Sequence, residues 1–151
     1  MAFRRFTLLE SAARSISGDS GLVFTGGGGD EFHVGTFLLK VTARSGTLPT
    51  LDVYVQVQLP DDSFADLIAF ARIDESASLP VSRVAVGAFP TPGSGTEGPK
   101  ADGTSAKGSI LALPLGPFYR VKWVIAGTAS PSFTFEVVTD LYGSHLPGGA
   151  E

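Results

Sequence analysis

The chain has no cysteine, no asparagine and a single methionine among its 151 residues. Without thiols, disulfides, thiolate metal sites and a cysteine nucleophile are excluded. The scarcity of thermolabile residues is in keeping with a hot environment. Charge is scarce too: 17% of residues are charged, against about 25% in ordinary soluble domains. Part of the surface must therefore be uncharged and open to a partner. The net charge is -4 and the pI about 5.1. A mildly acidic chain lacks the clustered Lys and Arg that phosphate binding requires, so nucleic acid is not an expected partner. No apolar run is long enough to span a bilayer as a helix, so no membrane association is expected. The start, MAFRRFTLLESAAR, lacks the apolar core of a signal peptide. The expected protein is soluble and made in a cytoplasm.

What the chain does have is alternation. In SGTLPTLDVYVQVQL, residues 45–59, Leu51, Val53, Val55, Val57 and Leu59 point one way, and Asp52, Tyr54, Gln56 and Gln58 the other. This is the pattern of a half-buried strand. Phe37, Leu39, Val41 and Ala43 alternate with Lys40 and Thr42. Tyr119, Val121, Trp123 and Ile125 alternate with Arg120 and Lys122. Phe133, Phe135 and Val137 alternate with Thr134 and Glu136. Residues 81–89 also read as a strand. Residues 64–75, FADLIAFARIDE, fit a helical stripe or a strand face, and the strand is favoured. Turn chemistry punctuates the chain at Ser45-Gly46-Thr47, Pro49 and Pro60-Asp61-Asp62-Ser63.

About eight or nine short strands with one apolar face each predict an all-β, antiparallel β-sandwich or jelly-roll-like barrel. The chain is read as one domain. Residues 1–10 are an N-terminal arm or first strand, 11–143 the domain, and 144–151 a flexible tail. Residues 90–108, PTPGSGTEGPKADGTSAKG, form a long Gly/Pro loop of the kind that is functional or disordered.

Chemistry is harder to find. Gly26 to Gly29 lack a following Gly-Lys-Ser/Thr and precede Asp30 and Glu31, so a turn is a better reading than a phosphate loop. His33 and His145 offer too few ligands for zinc. No Gly-x-Ser-x-Gly elbow supports a catalytic triad. Asp61, Asp62, Asp66, Asp74 and Glu75 are read as turn residues before a carboxylate pair or a calcium site. No catalytic residue, metal or cofactor is assigned, and the protein is expected not to be an enzyme.

Two stretches carry a resemblance. ARSGTLPTLDVYVQ, residues 43–56, resembles an A-x-S-G-T-x-P-T-L-D-V pattern of small β-rich virion proteins of tailed bacteriophages. GPFYRVKWVIAGTASPSFTFEVV, residues 116–138, is similar to the ending of the same family, with Tyr119 directly before Arg120 and Ala129 inserted before Ser130. Leu8 to Arg14, LLESAAR, resembles its opening. The resemblance implies a virion structural protein, most like a capsid decoration protein that binds the outside of the assembled head. It also implies a homotrimer, the major capsid protein as partner, and a place on the capsid exterior. A tail- or fibre-associated carbohydrate- or receptor-binding module is the alternative.

Candidate contacts to capsid or sister subunits fall in three places. The arm supplies Phe3, Arg4, Arg5 and Phe6, apolar anchors beside two bidentate donors. The long loop supplies Pro92, Glu97, Lys100 and Lys107. The polar strand face supplies Arg120 and Lys122, which are otherwise a solvated outer face.

Overall fold

The structure is a computed structural model that describes residues 2–25, 31–88, 102–110, 115 and 117–145. It is all-β. Eight strands form one antiparallel sheet: β1 (Ala2–Arg14), β2 (Gly18–Asp19), β3 (Val23–Phe24), β4 (Glu31–Gln58), β5 (Phe64–Ala69), β6 (Val81–Ala88), β7 (Ser109–Ile110) and β8 (Phe118–His145). β4 and β8 are each 28 residues long and pair with one another along most of that length.

Such a ladder cannot stay straight. Its register shifts between Ser45 and Thr47 and again between Thr47 and Thr50. There the backbone turns left-handed at Gly46 (φ 101°) and Leu48 (φ 48°) on β4, and at Gly127 (φ 136°), Ala129 (φ 56°) and Ser130 (φ 56°) on β8. Glycine is required where the two chains touch: a Cβ on Gly46 would lie 2.7 Å from the Pro131 Cα, and one on Gly127 3.0 Å from the Pro49 Cα.

The result is a corner, and the rings prove it. Tyr119 pairs beside Val57 at one end of β4, and Phe37 lies near the other end. An unbent strand would hold them roughly 60 Å apart at ~3.3 Å per residue. Their ring centroids are 6.1 Å apart. Trp123 and Phe135, on opposite sides of the corner in β8, meet edge-on at 5.9 Å. The sheet therefore folds over on one core. The first half runs β1, β8 (133–143), β4 (32–45), β6. The second runs from β2 and β3 through β8 (118–126) and β4 (50–57) to β5 and β7.

The alternating residues fill that core: Phe37, Leu39, Val41, Val53, Val55, Val121, Phe133, Phe135 and Val137 are at most 1% exposed. Ala43 departs from the expected inward set and is exposed, because a bulge between Val41 and Ala43 shifts the pleat. The segment 64–75 is strand through Ala69, after which Ile73 bridges to Leu51. β1 takes the first-strand alternative for residues 2–10 and pairs with β8 from Ala2 to Arg14. β8 runs through His145, so residues 144 and 145 of the expected tail are strand, and 146–151 lie outside the described residues.

One core group is out of place. The Tyr119 hydroxyl is buried without a hydrogen-bond partner among the described residues, and burial pushes its pKa up. Tyr119→Phe should therefore raise stability by about 1 kcal/mol, since it removes an unpaired buried donor and leaves the ring. Chemical denaturation reads this, and a loss of stability would mean that the hydroxyl has a partner.

Candidate functional site: a clasped loop and an apolar edge

The polar side of β4 is not solvated as its alternation suggests. Asp52, Tyr54 and Gln56 are 4%, 1% and 0% exposed. Residues 102–108 lie across them and are held by a polar cluster from three strands. Register places Asp66 of β5 and Arg120 of β8 on either side of Gln56 of β4. The Gln56 amide donates to Asp66 Oδ1 (2.9 Å) and Asp102 Oδ1 (2.8 Å), and its carbonyl accepts from Arg120 Nε (2.7 Å). Its hydrogen-bonding capacity is well used, as burial demands.

Asp66 is wholly buried and works as an anchor for the loop. Its carboxylate accepts the backbone N–H groups of Gly103 (2.8 Å), Thr104 (3.3 Å) and Ser105 (3.1 Å) in addition to Gln56. Three successive N–H groups converging on one anion form a nest. Gly103 sits at φ 74°, and a Cβ there would meet the Lys122 side chain at 2.9 Å, so the nest needs a glycine.

Asp102 closes the clasp. Its Oδ1 also accepts from Arg120 Nη2 and Lys122 Nζ, both at 3.0 Å. Arg120 packs its guanidinium 4.0 Å from the Phe64 ring centroid. Lys107 donates to the Tyr54 hydroxyl and lies 3.9 Å from Asp52, which is paired bidentately with Arg72 at 2.7 and 2.8 Å. The amide of Gln56, and then Lys122, hold the Asp102 carboxyl below the usual range. Asp140 is likewise lowered, chiefly by its hydrogen bonds from Arg5. A depressed carboxyl adds stability above its unfolded pKa and loses it as pH falls through the folded one. Stability should be flat from neutral pH to about 5 and fall below about 4. In Asp102→Asn the acid limb should be shallower. An unchanged limb in that variant would detach Asp102 from the transition.

The structure thus brings Lys107, Arg120 and Lys122 together, but their charges face carboxylates of their own chain. The arm residues lie on the other half of the sheet. Arg5 is paired bidentately with Asp140 (2.7 and 2.8 Å), Phe3 leans on Tyr142 with centroids 5.6 Å apart, and Phe6 meets Phe32 edge-on at 6.3 Å. Arg4 pairs in register with Leu141 and is half-buried. Pro92, Glu97 and Lys100 lie outside the described residues. Of the acidic residues read as turn formers, Asp61 and Asp74 do cap turns, each accepting the N–H two residues on. Asp66 does not belong with them.

A second feature lies at the edge of the second half. Residues 15–25 meet β8 through two-residue ladders, β2 and β3, and through single hydrogen bonds such as Ser20 N to the Val121 carbonyl and Trp123 Nε1 to the Ile16 carbonyl, both 2.8 Å. On either side of β2, serine hydroxyls take the role of backbone carbonyls: Ser17 Oγ accepts from Ile125 N and Ser20 Oγ from Val121 N, both at 2.9 Å. This thin edge carries Ile16, Leu22 and Phe24 at 78%, 52% and 58% exposure. The Phe24 ring rests on Phe118, centroids 5.0 Å apart. In the sequence this edge shows only as Leu22-Val23-Phe24, a short apolar island among small and polar residues.

Comparison of the chain with protein-family models, with curated proteins and with solved structures finds no match.

Proposed function

We propose that this protein is a non-enzymatic decoration protein that binds the outside of an assembled phage head and stabilises the shell. The observation that supports it is the apolar edge of Ile16, Leu22 and Phe24. A decoration protein needs anchors that are exposed in the free protein and covered on the lattice, and apolar side chains next to a rigid sheet meet that need. Binding to the lattice but not to loose subunits stabilises the lattice by mass action. The clasp suits this role by holding the neighbouring surface in one conformation, so little ordering entropy is lost on docking. In this reading the protein sits on the virion exterior and the major capsid protein is its partner.

The test is co-sedimentation of the purified protein with heads that lack it. Wild type should pellet with the heads. Leu22→Ala/Phe24→Ala should bind at least tenfold more weakly with an unchanged circular dichroism spectrum, given about 1.5–3 kcal/mol for each large side chain covered. No pelleting of the wild type would sink the reading, and equal pelleting of the variant would move the contact elsewhere. Exposed Phe24, resting on half-buried Phe118, also suits a carbohydrate-binding tail module, and saturable glycan binding without head binding would favour that.

A further inference from the structure

The outer face of the first half of the sheet is wrongly made for water. An antiparallel sheet with one covered face normally presents polar side chains on the other. Here β6, β4, β8 and β1 carry Val84, Leu38, Val138 and Thr7 in one cross-strand row. Val34, Tyr142 and Phe3 share another, and Val86 stands beside Thr36 between the two. Val84, Val86 and Phe3 are 64%, 52% and 52% exposed. The face is not explained by the head-binding edge, which belongs to the other half of the sheet.

We propose that this face is covered by a second copy of the same chain presenting the same face. Charge points to a copy. The face holds Arg5 and Asp140 as a closed ion pair, with Lys40 and Glu136 opposite one another in register. These four charges cancel on a chain of net charge -4, so two copies approach here with little repulsion. Shape points the same way. Stacked sheets pack about 10 Å apart and within about 30° of alignment because their twists match, and a copy has the same twist by construction. Size is sufficient but modest. Four strands ~4.8 Å apart and four rows ~6.8 Å apart give roughly 500 Å² of face, and two faces about 1,000 Å², the lower bound for a specific interface. Association should therefore depend on concentration.

The inference does not rest on head binding, and its test uses the purified chain alone. Light scattering across about 1–200 μM should give a mass of twice 15.7 kDa at the upper end. Twofold mass means two stacked sheets. Threefold mass would overturn the proposal, because a face that pairs with itself closes with two copies. Val84→Asp/Val86→Asp should stay at one chain mass throughout. Should that variant fail to fold, Val84→Thr/Val86→Thr keeps strand propensity and should associate at least tenfold more weakly. A wild type that remains at one chain mass to 200 μM overturns the proposal, as does a folded variant that associates like wild type. Loss of association with intact head pelleting, or the reverse, separates this inference from the function proposed above.

Discussion

Replacing Asp66 by alanine should lower the unfolding free energy by about 3–4 kcal/mol, and the loss should be read first in residues 103–105. The magnitude follows from what is left behind. Asp66 accepts four hydrogen bonds, three from successive backbone N–H groups and one from the Gln56 amide. Alanine accepts none, which leaves the buried Gln56 amide donor and three part-buried backbone donors without their acceptor. Leaving buried donors unpaired costs far more than the net worth of the bonds themselves. Asp66→Asn is the sharper probe. It keeps the volume and one acceptor but turns the second oxygen into a donor that faces N–H groups, so about half the loss is expected. Amide exchange at Gly103, Thr104 and Ser105 should accelerate before global unfolding, since the loop opens once its anchor is gone. Losses under about 1 kcal/mol with unchanged exchange would show that the loop is held by its other contacts, Asp102 to Lys122 and Gly108 to the Ala69 carbonyl.

That cluster marks the limit of what alternation can tell. Asp52, Tyr54, Gln56 and Gln58 were legible as the polar side of a strand, and Leu51, Val53, Val55 and Val57 as its apolar side. Pattern says which side is apolar. It does not say whether the polar side meets water or a polar loop brought from elsewhere in the chain. Asp66 was misplaced for the same reason. In sequence it follows Asp61 and Asp62 closely and looks like part of one acidic turn, whereas in the sheet it lies beside Gln56. The strand count had a different difficulty. Ser45-Gly46-Thr47 with Pro49 carries turn chemistry and reads as a break between two strands, and Gly127 through Pro131 separates two alternating runs in the same way. Both are corners through which a single strand passes. A tight turn and a corner use the same left-handed residues, and only the pairing partner distinguishes them. The all-β class survives that ambiguity because it depends on period, and the count of eight survives because the short strands β2, β3 and β7 replace those lost to fusion.

The corner makes the second large prediction. Phe37→Ala should cost about 4 kcal/mol, a third or more of the stability of an ordinary domain. Phe37 is wholly buried and reaches from the first half of the sheet to Tyr119 in the second. Its ring also lies in a channel of missing side chains. A Cβ on Gly35 would come within 2.7 Å of the ring and 2.8 Å of Leu141, and one on Gly87 within 3.3 Å of the ring. The ring is thus admitted by glycine on its own strand and on β6, and removing it leaves a cavity that a paired sheet cannot collapse to fill. The glycines turn this into a quantitative test. Gly35→Ala alone overpacks the site and should cost about 2 kcal/mol. In the Phe37→Ala background the clash with the ring is gone and only that with the end of Leu141 remains, so the cost should fall by at least about 1 kcal/mol, a coupling that distant sites do not show. Urea denaturation of the four proteins closes the cycle. Strict additivity would mean that the ring does not occupy the space between the glycines, and with it would go the packing that ties the two halves of the sheet into one core.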